Sequence, residues 1–147
     1  MRRRKEGRKG QQAFFKMKLK KAIFVLTDSN DQHVAESAIQ LCKKFKSKLF
    51  VLFIIETGRI SRLARLTQKK SDILRKKIED EGWQSLYLIE DEADKTGVST
   101  SLHLENGVAT TIVKKYVDAY NIDTLLVKRK NENRKLFVSS MIPVIGL

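Results

Sequence analysis

A chain of 147 residues with one cysteine and two histidines is long enough to bury its own core without disulfides or metals, and Cys42, His33 and His103 make no set spaced for zinc. A reducing cytoplasm is the expected setting; no apolar run nears the length of about 20 residues that spans a bilayer, and the basic start lacks the apolar region of a secretory leader. The formal charge of +13 is concentrated at one end, since residues 1–21 hold ten Lys and Arg against Glu6.

The opening run MRRRKEGRKG has no apolar residue after Met1, and its charges repel one another. Residues 1–16 are therefore expected as a disordered basic tail and residues 17–147 as one domain. Residues 22–27 (AIFVLT) form a continuous apolar run suited to a strand buried on both faces of a parallel sheet. The polar turn Asp28-Ser29-Asn30-Asp31-Gln32 follows, with Ser29 and Gln32 at capping-box spacing. Val34, Ala38, Leu41, Cys42 and Phe45 then recur at helical intervals, with Cys42 read as a small apolar packing residue. Residues 49–55 (LFVLFII) make a second buried strand, so a right-handed βαβ unit is expected.

Residues 59–95 are a long charged stretch interrupted by Gly82, with Leu63, Leu66, Ile73, Leu74 and Ile78 as an apolar stripe. One or two helices ending near Gly97 are expected there. Residues 98–104 alternate as a strand, with Val98, Thr100, Leu102 and Leu104 on one face and Ser99, Ser101 and His103 on the other. After Asn106-Gly107, the residues Ala109, Ile112, Val113, Tyr116, Val117 and Tyr120 define an amphipathic helix, and residues 124–127 (TLLV) a fourth strand. The fold class is α/β, an open and mostly parallel sheet of four to five strands with helices on both faces.

The stretch KAIFVLTDSNDQHVAESAIQLCKKF, then LFVLFIIE, then KTGVSTSLHLENGVATTIVKKYVDAYNIDTLLV resembles, in that order, the elements of the universal stress protein family. The resemblance covers about residues 18–127 and implies a flavodoxin-like domain, of the adenine-nucleotide alpha hydrolase type. Such domains are usually homodimers, and some members bind ATP or AMP. Leu26, Asp28 and Ile54 match positions that contact adenosine in the ATP-binding members, near the carboxyl ends of the first two strands. Those members cradle phosphates with Gly-x-x-Gly and, about nine residues on, Gly-Ser or Gly-Thr, because glycine lets backbone amides approach phosphate. Here the place reads Lys128-Arg129-Lys130-Asn131, without glycine, and Ser139-Ser140 stands too close behind it. The chain thus reads as a degenerate member with weak or lost ATP or AMP binding. Its C-terminus is shortened, and two readings of it stand. In the favoured one, residues 141–145 are the family's closing strand and the preceding helix is deleted, Pro143 suiting a sheet edge. In the other, residues 136–147 begin that helix and the strand is missing. The closing strand commonly carries the family's dimer contact, so both readings bear on homodimerisation.

Asp28 suits a ribose or adenine hydrogen bond and equally a helix cap. Lys128, Arg129 and Lys130, with Arg134 and Lys135, suit phosphate neutralisation or a solvated loop. His103 has no nucleophile paired with it in the sequence, which favours a structural role; Trp83 and Tyr87 favour packing. No Walker loop, G-x-G-x-x-G, G-x-S-x-G or H-E-x-x-H occurs, and Glu90, Asp91, Glu92 and Asp94 are a solvated acidic stretch, so no enzyme is expected. Two functions remain. One is a non-catalytic, stress-related module that binds a nucleotide or a protein partner. The other acts through Arg2, Arg3, Arg4, Lys5, Arg8 and Lys9, which suit nonspecific attraction to nucleic acid or an anionic membrane surface, with Phe14, Phe15, Met17 and Leu19 adding some membrane affinity.

Overall fold

A computed structural model describes residues 19–147. The expected tail, with the boundary at residue 16, the six cations from Arg2 to Lys9, and Phe14, Phe15 and Met17, lies outside the described residues. Within them, the apolar runs become adjacent strands: β1 (Lys21–Leu26), β2 (Lys48–Ile55), β3 (Thr100–Asn106) and β4 (Thr124–Val127), with β5 (Val144–Gly146) at the edge. The sheet runs β3-β2-β1-β4-β5, and every pairing is parallel. In β2 every residue after Lys48 is buried, because both faces are covered. Ala22, Phe24, Leu26, Val51 and Phe53 pack under α1 (Ala35–Phe45), α2 (Thr57–Thr67) and α3 (Ser71–Thr96). Ile23, Val25, Leu52 and Ile54 pack under α4 (Ala109–Tyr120) and α5 (Arg134–Ser139). Each such side chain taken from water contributes about 1.5–3 kcal/mol, so the two apolar faces of the sheet hold the helices in place.

The first turn differs from the capping-box expectation. Asp28, not Ser29, takes the cap, its Oδ1 accepting the Asn30 N–H at 2.9 Å, and a 3₁₀ turn (Ser29–Val34) precedes α1. The buried face of α1 is Ala35, Ala38, Ile39 and Cys42, while Phe45 lies at its margin, 39% exposed. Burial pushes the Cys42 thiol up to about 12, with Asp123 adding to the shift.

The long charged stretch is two helices, and the break falls at Gln68, in the left-handed region at φ 56°, rather than at Gly82. Gly82 is buried inside α3, where an added Cβ would stand 3.0 Å from both Phe53 Cδ1 and Leu104 Cδ1. Its absent side chain lets the helix approach the sheet. Leu74 is buried as expected, but Leu66 and Ile73 are 81% and 62% exposed and leave the apolar stripe. At the other end Gly97, at φ +84°, closes α3 through its N–H to Ala93 O and Asp94 O. Gly97→Ala should cost about 1 kcal/mol, since a Cβ is strained at that φ although nothing obstructs it. Gly58→Ala, in open space within α2, should not destabilise. Urea midpoints of the two variants check this.

The C-terminus keeps both elements that the two readings set against each other. A short α5 survives, so the helix is shortened and not deleted, and β5 pairs with β4 at Leu125↔Val144, Leu126↔Ile145 and Val127↔Gly146. Pro143 stands just before β5, where its carbonyl accepts the Leu125 N–H at 2.9 Å and its lack of an N–H costs the ladder nothing.

Candidate functional site

From β1 the chain builds outward to β2 and β3 on one side, then returns to place β4 on the other. The carboxyl ends of β1 and β4 therefore flank the switch point, where a crevice opens in sheets of this kind. Thr27, Asp28 and Asp31 enter it from the turn after β1, and Lys130 from the loop after β4. Lys130 Nζ donates to Thr27 Oγ1 and to both oxygens of Asp31, each at 2.8 Å. Asp31 is 1% exposed and also accepts the Thr27 N–H at 3.0 Å. A charge so buried needs such partners, and the lysine thereby straps one side of the switch point to the other.

Above this strap lies Arg59, from the first turn of α2. Its Nη1 donates to Thr27 O at 2.9 Å and its Nη2 to Asp28 Oδ2 at 2.6 Å. Burial alone would raise the Asp28 pKa, but the Asn30 N–H, the Arg59 guanidinium and the Lys130 charge together hold it below the usual carboxylate value. Asp28 thus caps the turn and pairs with an arginine while staying about a quarter exposed. Each of its oxygens keeps acceptor capacity for a hydroxyl.

Three hollows meet at Glu56 and Arg59. One, of about 250 Å³, runs beneath α2 and α3 and is walled by Ile55, Ile60, Leu63, Leu74 and Ile78. A second, of about 380 Å³, holds Asp28, Arg62, Lys130 and Glu132. The third, of about 250 Å³, lies between the first turns of α2 and α4 beside Lys135. Neither helix has a side-chain cap there, so N–H groups of both first turns are left without side-chain acceptors.

Of the expected site residues, the fold brings together Asp28 and Lys130. Leu26 and Ile54 are fully buried on opposite faces of the sheet, and neither side chain reaches the crevice. Arg129 turns to the sheet edge, its Nε donating to Gly146 O at 3.3 Å. Lys128 lines a separate open hollow with Ser29, Asn30 and His33. Arg59, Arg62 and Asp31 were not singled out from the sequence. In the sequence Asp31 reads as one of several capping residues, and the two arginines as part of the charged stretch. Arg59 and Arg62, three residues apart, do share one helix face, and that spacing was the available signal.

His103 sits elsewhere, on the edge strand β3, in an aromatic cluster with Phe50, Tyr116 and Tyr120 at ring distances of 5.0–6.1 Å. Ser101 Oγ lies 2.9 Å from its Nε2, and the Tyr116 hydroxyl donates to Glu105 at 2.9 Å. Burial lowers the His103 pKa, with Glu105 opposing the shift and Lys48 adding to it. The unfolded chain then binds more protons than the native one just below the ordinary histidine value of about 6.5, so stability is full above that pH and falls as pH drops through the native value. His103→Phe should flatten this dependence in urea midpoints taken between neutral and mildly acid pH. Among the described residues, no three His, Cys, Asp or Glu side chains group as a metal site, and no helix is long and apolar enough to cross a membrane.

No protein-family model matches the chain, and no curated protein matches it. Solved structures do. A universal stress protein family member from Burkholderia pseudomallei superposes with a TM-score of 0.72 at 13% identity, covering 88% of this chain and 96% of that one. The universal stress protein of Archaeoglobus fulgidus in complex with dAMP gives 0.61 at 15% identity, with 88% and 98% covered. A family protein from Arabidopsis thaliana with AMP bound gives 0.56 at 9% identity, with 87% and 90% covered. The five parallel strands with helices on both faces are the universal stress protein fold.

Proposed function

We propose that this chain, which has the fold of the universal stress proteins, is a non-catalytic module that binds an adenine mononucleotide weakly at the switch-point crevice and serves a stress-related regulatory role. The observation that carries this reading is the position of Arg59, which joins an apolar hollow, a partly exposed carboxylate and a basic cleft. A flat base fits the hollow walled by Ile55, Ile60 and Leu74, while a ribose hydroxyl reaches Asp28. A phosphate then meets Arg59 and Arg62, whose planar guanidinium groups suit it. Loop 128–131 has no glycine, so a triphosphate finds no nest of amides, whereas a single phosphate needs only the arginines. Two of the structural neighbours hold dAMP and AMP, each with one phosphate.

Calorimetric titration of the full chain tests this. AMP should bind saturably at one per chain, at least as tightly as ATP with Mg²⁺. Arg59→Gln should weaken AMP about tenfold or more, as loss of a charge-assisted hydrogen bond of roughly 1.5–3 kcal/mol requires. Absence of saturable heat from folded protein, or binding indifferent to Arg59, would remove the crevice as a nucleotide site.

A further inference from the structure

Within the described domain the charge is also uneven. Residues 59–77 carry eight Lys and Arg against Asp72 alone, so that the rest of residues 22–147 sums to a small negative charge. This stretch is the α2–α3 hairpin. Arg59 is paired with Asp28, but the other seven cations are exposed and, among the described residues, have no carboxylate within 4.0 Å. The helix α3, of 26 residues, is about 39 Å long, and Gly82 already meets Phe53 and Leu104 near the carboxyl ends of their strands. The turns of α3 before Gly82 therefore lie at the carboxyl end of the sheet, where Leu74 and Ile78 line a hollow with Phe53 and Ile55, and α2 packs beside them. At the tip, on either side of the turn at residues 68–70, stand Leu66 and Ile73, 81% and 62% exposed. The tip thus sets two exposed aliphatic side chains beside cations that have no carboxylate partner among the described residues, the combination that an anionic surface with an apolar phase beneath it would use.

We propose that the α2–α3 hairpin is a docking surface for an anionic phospholipid bilayer. Lys and Arg near such a surface gain about 1 kcal/mol each from its negative potential, and Leu66 and Ile73 enter the boundary between headgroups and acyl chains, as the apolar side chains of interfacial helices do. A nucleic acid would use the cations alone. It offers no apolar phase for the aliphatic pair, and the tip presents no aromatic ring on which a base could stack; Trp83 and Tyr87, stacked on each other at 5.7 Å, lie farther along α3.

The test is sedimentation of the full chain with phosphatidylcholine vesicles, with and without phosphatidylserine, at near-physiological salt. Binding is expected only with phosphatidylserine. Arg65→Gln/Lys69→Gln/Lys70→Gln should lower the partition coefficient about 100-fold, and Leu66→Ser/Ile73→Ser about tenfold at unchanged charge. All five positions are exposed, and circular dichroism verifies that each variant is folded. No binding to phosphatidylserine vesicles overturns the proposal. So does full binding by the triple variant with loss only on removal of residues 1–16, which would assign the affinity to the tail. Vesicle binding indifferent to Leu66→Ser/Ile73→Ser, with a double-stranded oligonucleotide competing, would make the hairpin a nucleic-acid surface instead.

Discussion

Lys130→Met should lower the unfolding free energy by about 3 kcal/mol, read as a shift of the urea midpoint at neutral pH with no ligand present. The expected loss is large because Asp31 is 1% exposed and takes Nζ on both oxygens. Without the lysine, the carboxylate keeps only the Thr27 N–H and remains a charge in a place that water does not reach. Methionine preserves most of the aliphatic stem, so the loss measures the uncompensated charge more than lost packing. The double variant Asp31→Asn/Lys130→Met should recover most of the stability, since a neutral amide oxygen still accepts from Thr27. A single variant costing under about 1 kcal/mol, below the range for breaking a buried pair, would mean that Asp31 does not depend on the strap. The same pair bears on the site: Lys130 is committed to Asp31 and Thr27, which leaves Arg62, and those guanidinium hydrogens of Arg59 that Thr27 and Asp28 do not take, to meet a phosphate.

Legibility in the sequence followed the sheet. The apolar runs at 22–27, 49–55 and 124–127 are strands within a residue at each end, because strands buried on both faces admit little besides Val, Ile, Leu and Phe. Boundaries blurred where burial is partial. Strand β3 begins at Thr100, two residues past the alternating pattern's start, on a strand whose side chains are all half-buried or exposed. Gly82 reads locally as an interruption because glycine disfavours a helix, whereas its place in α3 is explained by the Phe53 and Leu104 side chains across the interface, contacts the local sequence does not record. The site was legible only at Asp28 and at the loop holding Lys130. Asp31 and Lys130 lie 99 residues apart, and their pairing exists only once β1 and β4 are neighbours. Arg59 looks like its neighbours Arg62 and Arg65 until α2 is docked over Thr27. The C-terminus resisted for another reason: three residues of strand and a helix of under two turns carry too few positions for either period to declare itself.

Phe53→Ala should cost about 4 kcal/mol, the larger of the two losses, since the ring is 2% exposed and fills the space that Gly82 leaves between α3 and the sheet. Gly82 makes this more than a cavity measurement. In the parent protein, Gly82→Ala brings a Cβ to 3.0 Å from Phe53 Cδ1 and from Leu104 Cδ1, and to 3.1 Å from Phe53 Cε1. Gly82→Ala should therefore destabilise the parent protein, the buried ring having little room to give way against a helix propensity of about 1 kcal/mol that alanine gains over glycine. Once Phe53 is alanine, two of those three contacts are gone and the remaining one is the tip of a leucine that can turn away. Gly82→Ala should then become stabilising, so the two substitutions should couple with a change of sign in a double-mutant cycle of urea midpoints. Equal cost of Gly82→Ala in both backgrounds would place the limit at Leu104. A gain confined to the Phe53→Ala background would establish that glycine at position 82 is the complement of the aromatic ring at 53, which lets α3 lie close on the sheet before it runs out to the hairpin.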